Sequence, residues 1–267
     1  MEILSFGMPP SARIIWASDV SRKTWEPRIA AASRAFAELE RLTVVHEMRE
    51  CTTMHASPKR LEQQIRDLAK QGLCFLPLRA VGAYNGFAHS HPPVEPGKDW
   101  NYYGVVARNA GILEAFAEAT ASSDHVAMGR LLGYPECCSK FFVDVWGRGY
   151  VDPVWQAAEK CGKRDGNHCL HLENSTWAVW QGFRYIGVRA VPHLPCSFDC
   201  KSSKTMAESW LDFGYKQNIH GIADIEKLLQ LSCEWDCYKG IAQIRTDHFM
   251  IVTNSVTCFP RHIVRKA

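Results

Sequence analysis

The chain has 267 residues, enough for one large domain or two small ones. At 46% hydrophobic and 22% charged it has an ordinary globular composition, and a net charge of +3 gives no electrostatic footing for nucleic acid. No run of 18 apolar residues occurs, so no membrane-spanning helix is expected; residues 1–6 lack the basic-then-apolar order of an export signal, so a cytoplasmic location is expected.

In chain order, residues 12–17 read as a short buried strand. Ile29, Ala32, Phe36 and Leu39, three or four apart, predict a helix over residues 26–42. Residues 43–48 read as the next strand. Ser57-Pro58 is a cap followed by a first-turn proline; it opens a helix to Gln71 with Leu61, Ile65 and Leu68 inward. Residues 73–78 form a further strand. The alternation of strand and helix predicts α/β layering around a parallel sheet. No Gly-x-Gly-x-x-Gly accompanies these turns, so no dinucleotide site is expected.

Residues 80–100 are rich in Gly, Pro and His and read as a long loop carrying His89 and His91, a candidate metal or substrate contact. A strand at 102–107 precedes a helix over 110–122 with Leu113, Phe116 and Ala117 inward. Ser123-Asp124 caps a helix that Gly133 closes. Pro135 opens a helix to Trp146, followed by a short helix from Pro153, a polar loop over 160–168, a Trp-rich helix over 176–182 and a strand over 188–191. Helices including Met206 to Gly214 and 224–231 follow. The tail reads as a hairpin turning at Thr246-Asp247. The expected architecture is a layered α/β portion over residues 1–109, then a Cys-rich, mainly helical portion over 110–267 ending in a β-hairpin.

Eleven cysteines is a high count, and an odd one in a long chain without an export signal argues against a disulfide framework and for metal or redox chemistry. Four are concentrated in two Pro-marked segments, Gly133-Tyr134-Pro135-Glu136-Cys137-Cys138 and His193-Leu194-Pro195-Cys196-Ser197-Phe198-Asp199-Cys200. Cys137 and Cys138 fall in the first turn of their helix, where free N–H groups and the positive end of the dipole favour a thiolate. Single cysteines elsewhere, including Cys233 and Cys237, read as small buried hydrophobes.

No Cys-x-x-Cys knuckle is present. Adjacent helical cysteines are expected to diverge, which suits a cluster whose irons take separate ligands. The candidate ligands are therefore Cys137, Cys138, Cys196 and Cys200, with His193 as a non-thiol ligand. The expected cofactor is an iron–sulfur cluster of the 4Fe–4S type, with zinc as the alternative. Cys196-x-x-x-Cys200-x-x-Ser203 falls one cysteine short of the radical S-adenosylmethionine pattern.

The motifs Gly-Tyr-Pro-x-Cys-Cys-x-x-Phe-Phe, at Gly133 to Phe142, and His-x-Pro-Cys-x-x-x-Cys, at His193 to Cys200, resemble the signature of a domain family of unknown function found in archaeal and bacterial proteins. The resemblance covers about residues 125–215. It implies that these cysteines act together and brings no reaction with it.

Three functions follow. The first is a cluster enzyme, a lyase or sulfur transferase, acting on a small molecule by elimination, hydration or sulfur transfer at an open iron, served by an electron- or sulfur-donor protein. Cys137 is then the fourth ligand or a reactive thiol, and His193, His89, His91, His168 and His171 are candidates for proton transfer. The second is a zinc or mononuclear iron protein with a structural or hydrolytic site. The third is a metal-free enzyme in which Cys137 attacks with help from His193 or His171.

Overall fold

The computed structural model describes residues 2–6, 12–83, 93–146, 153–165, 169–172, 182–236, 241–253 and 261–265. The fold is mixed α/β, as expected, and every sheet pairing in it is antiparallel. By its contacts the chain divides into a unit of residues 1–38, 85–89 and 144–267 and another of residues 39–84 and 90–143.

The first unit holds β1 (Glu2–Phe6) and β2 (Ala12–Trp16), and most of α1 (Asp19–Val45), which also reaches into the second. Its later elements are α6 (Pro153–Glu159), β6 (Lys163–Arg164), β7 (Cys169–Leu172), α7 (Lys201–Lys216), α8 (Ile222–Leu229), β8 (Cys233–Asp236), β9 (Ile241–Arg245), β10 (Phe249–Thr253) and β11 (Arg261–Arg265). One sheet has the order β2-β10-β9-β8-β7-β6, and β1 pairs with β11. The expected hairpin is present as β9–β10; Thr246 accepts from Phe249 N through its hydroxyl at 3.0 Å. It is not the end of the chain's structure, because β11 follows. β2 is an edge strand and Ile15 is 45% exposed, so the expected burial of this segment does not hold.

α1 starts seven residues before the expected helix. Ser18 caps it, its hydroxyl accepting from Ser21 N at 3.1 Å, and the helix runs through Pro27. A proline inside a helix costs about 3 kcal/mol. Packing beyond it offsets that cost: Phe36 stacks on Trp210 of α7, and Arg28 holds Asp224 of α8 at 2.6 Å.

The second unit is β3 (Cys51–Ala56), α2 (Leu61–Ala69), β4 (Cys74–Gly82), β5 (Trp100–Ala107), α3 (Ala110–Ala121), α4 (His125–Leu131) and α5 (Glu136–Phe141); a π-helical turn over Phe142–Trp146 continues α5 past the boundary at 143. The strand order is β3-β5-β4. The parallel sheet is overturned, for a topological reason. β3 and β4 do run the same way with α2 as their crossover, but β5 inserts between them antiparallel to both, a split βαβ unit. Successive side chains on β5 face opposite layers. Val105 and Ala107 pack with Cys51, Leu113, Phe116 and Leu132, while Val106 packs with Val44, Leu68 and Leu73.

Several local expectations change. Residues 43–45 close α1 and 46–48 turn, so no strand forms there; the Thr43 hydroxyl donates to Glu40 O at 2.8 Å and accepts from Arg49 Nε at 2.8 Å. Ile65 is 42% exposed and only Leu68 of α2 is buried. Residues 188–191 are irregular, although Val188, Ala190 and Val191 are buried, and Pro192 next in line cannot donate to a ladder. The Trp-rich stretch at 176–181 lies outside the described residues.

Candidate metal centre

Gly133 makes the first turn of the site. α4 ends in a Schellman motif, with Tyr134 N bonded to Gly129 O at 2.8 Å and Gly133 N to Arg130 O at 2.9 Å. Gly133 has φ +71°, and a Cβ there would stand 2.9 Å from Cβ of Arg49. Arg49 cannot retreat: its guanidinium is buried and donates to Thr43 Oγ1 at 2.8 Å and Glu40 O at 2.6 Å. Tyr134-Pro135 then leads directly into α5. Pro135 takes the cap position, one earlier than expected, and its carbonyl accepts from Cys138 N at 2.9 Å and Ser139 N at 3.0 Å. Cys137 is exposed and Cys138 is 2% exposed, yet their sulfurs lie 3.9 Å apart. The expectation that adjacent helical cysteines diverge is therefore wrong here. In a first turn both side chains have freedom that a helix interior would deny them.

The second segment is a turn. Cys200 N donates to Ser197 O at 3.0 Å and Asp199 N to Ser197 Oγ at 3.1 Å, which folds Cys196 back beside Cys200. Cys200 caps α7, and its carbonyl accepts from Lys204 N at 2.9 Å. The four sulfurs of Cys137, Cys138, Cys196 and Cys200 all lie within 4.8 Å of one another. This group can hold a metal ion, and both of its halves stand at helix starts, whose positive ends favour anionic groups.

His193 falls outside that group. Its ring is buried at 5% exposure, and Nε2 lies 2.7 Å from Oγ of the fully buried Ser203. Ser203, the residue that spoils the radical-enzyme pattern, thus ties the proline-rich loop to α7. His89, His91, His168 and Cys237 lie outside the described residues. His171 is exposed on β7 opposite Glu234.

Cys161 lies beside the Cys196–Cys200 turn, although no motif marks it. Its thiol reaches Ala158 O at 3.4 Å, and the Ser197 side chain and the backbone of Phe198 and Asp199 reach its sulfur. Burial pushes this thiol up and the Asp199 carboxylate adds to the shift, partly offset by those hydrogen bonds. Cys161 therefore supports the turn between Cys196 and Cys200. No sequence spacing signals this, because the contact spans more than thirty residues. The buried-hydrophobe reading fits other thiols: burial pushes Cys51 up to about 12 and Cys233 higher still.

No family model, curated protein or solved structure matches the chain. Among the described residues, no helix is long and apolar enough to cross a membrane.

Proposed function

We propose that the protein is a metalloprotein in which Cys137, Cys138, Cys196 and Cys200 hold one tetrahedral zinc ion as a closed, fold-stabilising centre. The spacing of the sulfurs carries this reading. Four sulfurs at about 2.3 Å from a single ion form a tetrahedron with edges of about 3.8 Å. The Cys137–Cys138 separation of 3.9 Å matches one such edge, and no pair in the group exceeds 4.8 Å. A 4Fe–4S cube asks for more room, because each thiolate binds a different iron and the separation includes the iron–iron distance. That favours the zinc alternative over the cluster enzyme.

A tetrahedral set of four sulfurs suits zinc. With all four positions taken by protein, no coordination place remains for a substrate, which is the arrangement of structural sites. The benefit to folding is direct: the ion closes the chain between residues 138 and 196, and its binding energy is available only to the folded arrangement. Elimination, hydration, sulfur transfer and hydrolysis at an open metal position lose support accordingly. The motif resemblance fits this reading, since the positions it shares include all four thiols.

The test is anaerobic purification with zinc, iron and sulfide quantified beside the visible spectrum. The expected result is about one zinc per chain, no sulfide and no colour. Brown protein with matching iron and sulfide would restore the cluster enzyme, and protein without metal would move the chemistry to the thiols themselves.

A further inference from the structure

We propose that the first unit carries a binding groove for an aromatic carboxylate, formed between β2 and α1 and sharing no residue with the four-thiol centre.

The groove follows from the edge position of β2, which among the described residues pairs with β10 alone. Ile14 and Trp16, two apart and so on one face of the strand, line it together with Ile29 and Ala30 of α1 and with Ile186. Its volume is about 550 Å³. Sites for small organic ligands run from about 300 to 1,000 Å³ and are walled mainly by apolar and aromatic side chains.

The walls are held in place by contacts outside the groove. Phe249 meets Trp16 edge to face, with ring centroids 5.9 Å apart, which fixes the indole. Ile186 ends a 3-10 turn over Gly182–Ile186, and the chain then passes so close to α1 that a Cβ at Gly187 would overlap the Ser33 hydroxyl. Gly187 also has φ +82°, so glycine is required there twice over, and it brings Ile186 to the groove.

Charge selects the ligand. Glu26 and Arg34 are the first and last α1 residues of the lining, about 12 Å apart along the helix axis. Glu26 is paired with Arg22 at 3.0 Å, and Arg28 is paired with Asp224. Arg34 is exposed and has no ion-pair partner among the described residues. Its guanidinium is the uncompensated charge of the groove, and its planar fork of donors matches a carboxylate. Glu26 repels an anion at the other end, so the ligand has one orientation, with its carboxylate at Arg34 and its apolar body over Ile29 and Ala30. An indole wall favours a flat ring, which also loses less conformational freedom on binding than a flexible chain.

The experiment titrates the full chain with 2-naphthoate and with its uncharged counterpart 2-naphthamide, by calorimetry. The expected result is a Kd below about 1 mM for the carboxylate and binding at least about tenfold weaker for the amide. Arg34→Gln should bring the carboxylate down to the level of the amide while the circular dichroism stays unchanged, because this side chain holds no partner. Ala30→Leu, which narrows the groove, should weaken both ligands. Equal binding of the two ligands to the unmodified protein overturns the proposal, since the groove is then only an apolar surface. Carboxylate binding that survives Arg34→Gln overturns it as well, and so does an absence of binding to the unmodified protein.

Discussion

Cys137, Cys138, Cys196 and Cys200 stand at the starts of helices, while Cys51 and Cys233 stand inside strands β3 and β8. The two settings make different residues of one side chain. In a strand, alternation sends the thiol into whichever layer its register faces; Cys51 meets Val105, Leu113 and Phe116 there and behaves as a small hydrophobe. At a helix start the backbone has just turned. Residues one or four apart can then aim their sulfurs at a single point: Cys137 and Cys138 stand 3.9 Å apart, and all four sulfurs lie within 4.8 Å of one another. Cysteine count therefore says little about metal chemistry, and local backbone geometry says much more.

The sharpest way to break the comparison is Cys200→Ala. It should abolish metal binding and cost more than about 4 kcal/mol, the scale of losing a structural metal. Metal content and thermal unfolding check it. An unchanged melting temperature would mean that the helix-start thiols are no more structural than those in the strands.

Gly133→Ala attacks the same region without touching a thiol. The left-handed conformation costs a non-glycine residue about 2 kcal/mol, and the new methyl meets an Arg49 that is locked in place. Stability should fall by at least that amount and metal affinity with it, as read by denaturant titration and by competition with a chelator.

Cys51→Ser probes the strand side. A hydroxyl in that apolar layer should cost about 1–3 kcal/mol while metal content stays at the wild-type level. Loss of metal in this variant would erase the distinction between the two sets.

Taken per thiol and per pH unit, the smallest effect is alkaline. The buried thiols of Cys51 and Cys233 stay protonated, while the same thiols in the unfolded chain ionise above about pH 8.5. The unfolded state then binds fewer protons, so stability present below that pH is lost as pH rises towards the Cys51 value of about 12. Each thiol contributes a fall of about 1.4 kcal/mol per pH unit in this window. Denaturation midpoints against pH should slope downward, and Cys51→Val should flatten the slope by one thiol's share.

Much of this was legible in the amino-acid order. Pro135 and Gly133 marked a helix start and a helix stop, and two Pro-marked segments singled out the four thiols that gather. The apolar stripe of α3, the cap at Asp124, which accepts from Ala127 N at 2.9 Å, and the β9–β10 hairpin all follow local rules acting over a few residues. What the order left open depended on partners distant in the chain. The helix expected from residue 26 begins at Asp19 instead, because the packing of Phe36 on Trp210 and the Arg28–Asp224 pair, which carry α1 through Pro27, arise more than 170 residues later. Strands expected at 43–48 and 73–78 suggested a parallel sheet; the first forms at Cys51–Ala56 instead, and β5, which separates it from β4, comes afterwards. His193 looked like a ligand, although Ser203 receives its ring, and Cys161 looked inert, although it supports the Cys196–Cys200 turn. The sequence by itself determined which four thiols stand in turns and helix starts, since turn and cap preferences act locally. Only the tertiary structure decided how far apart their sulfurs stand, because that distance is set by where whole helices begin in space.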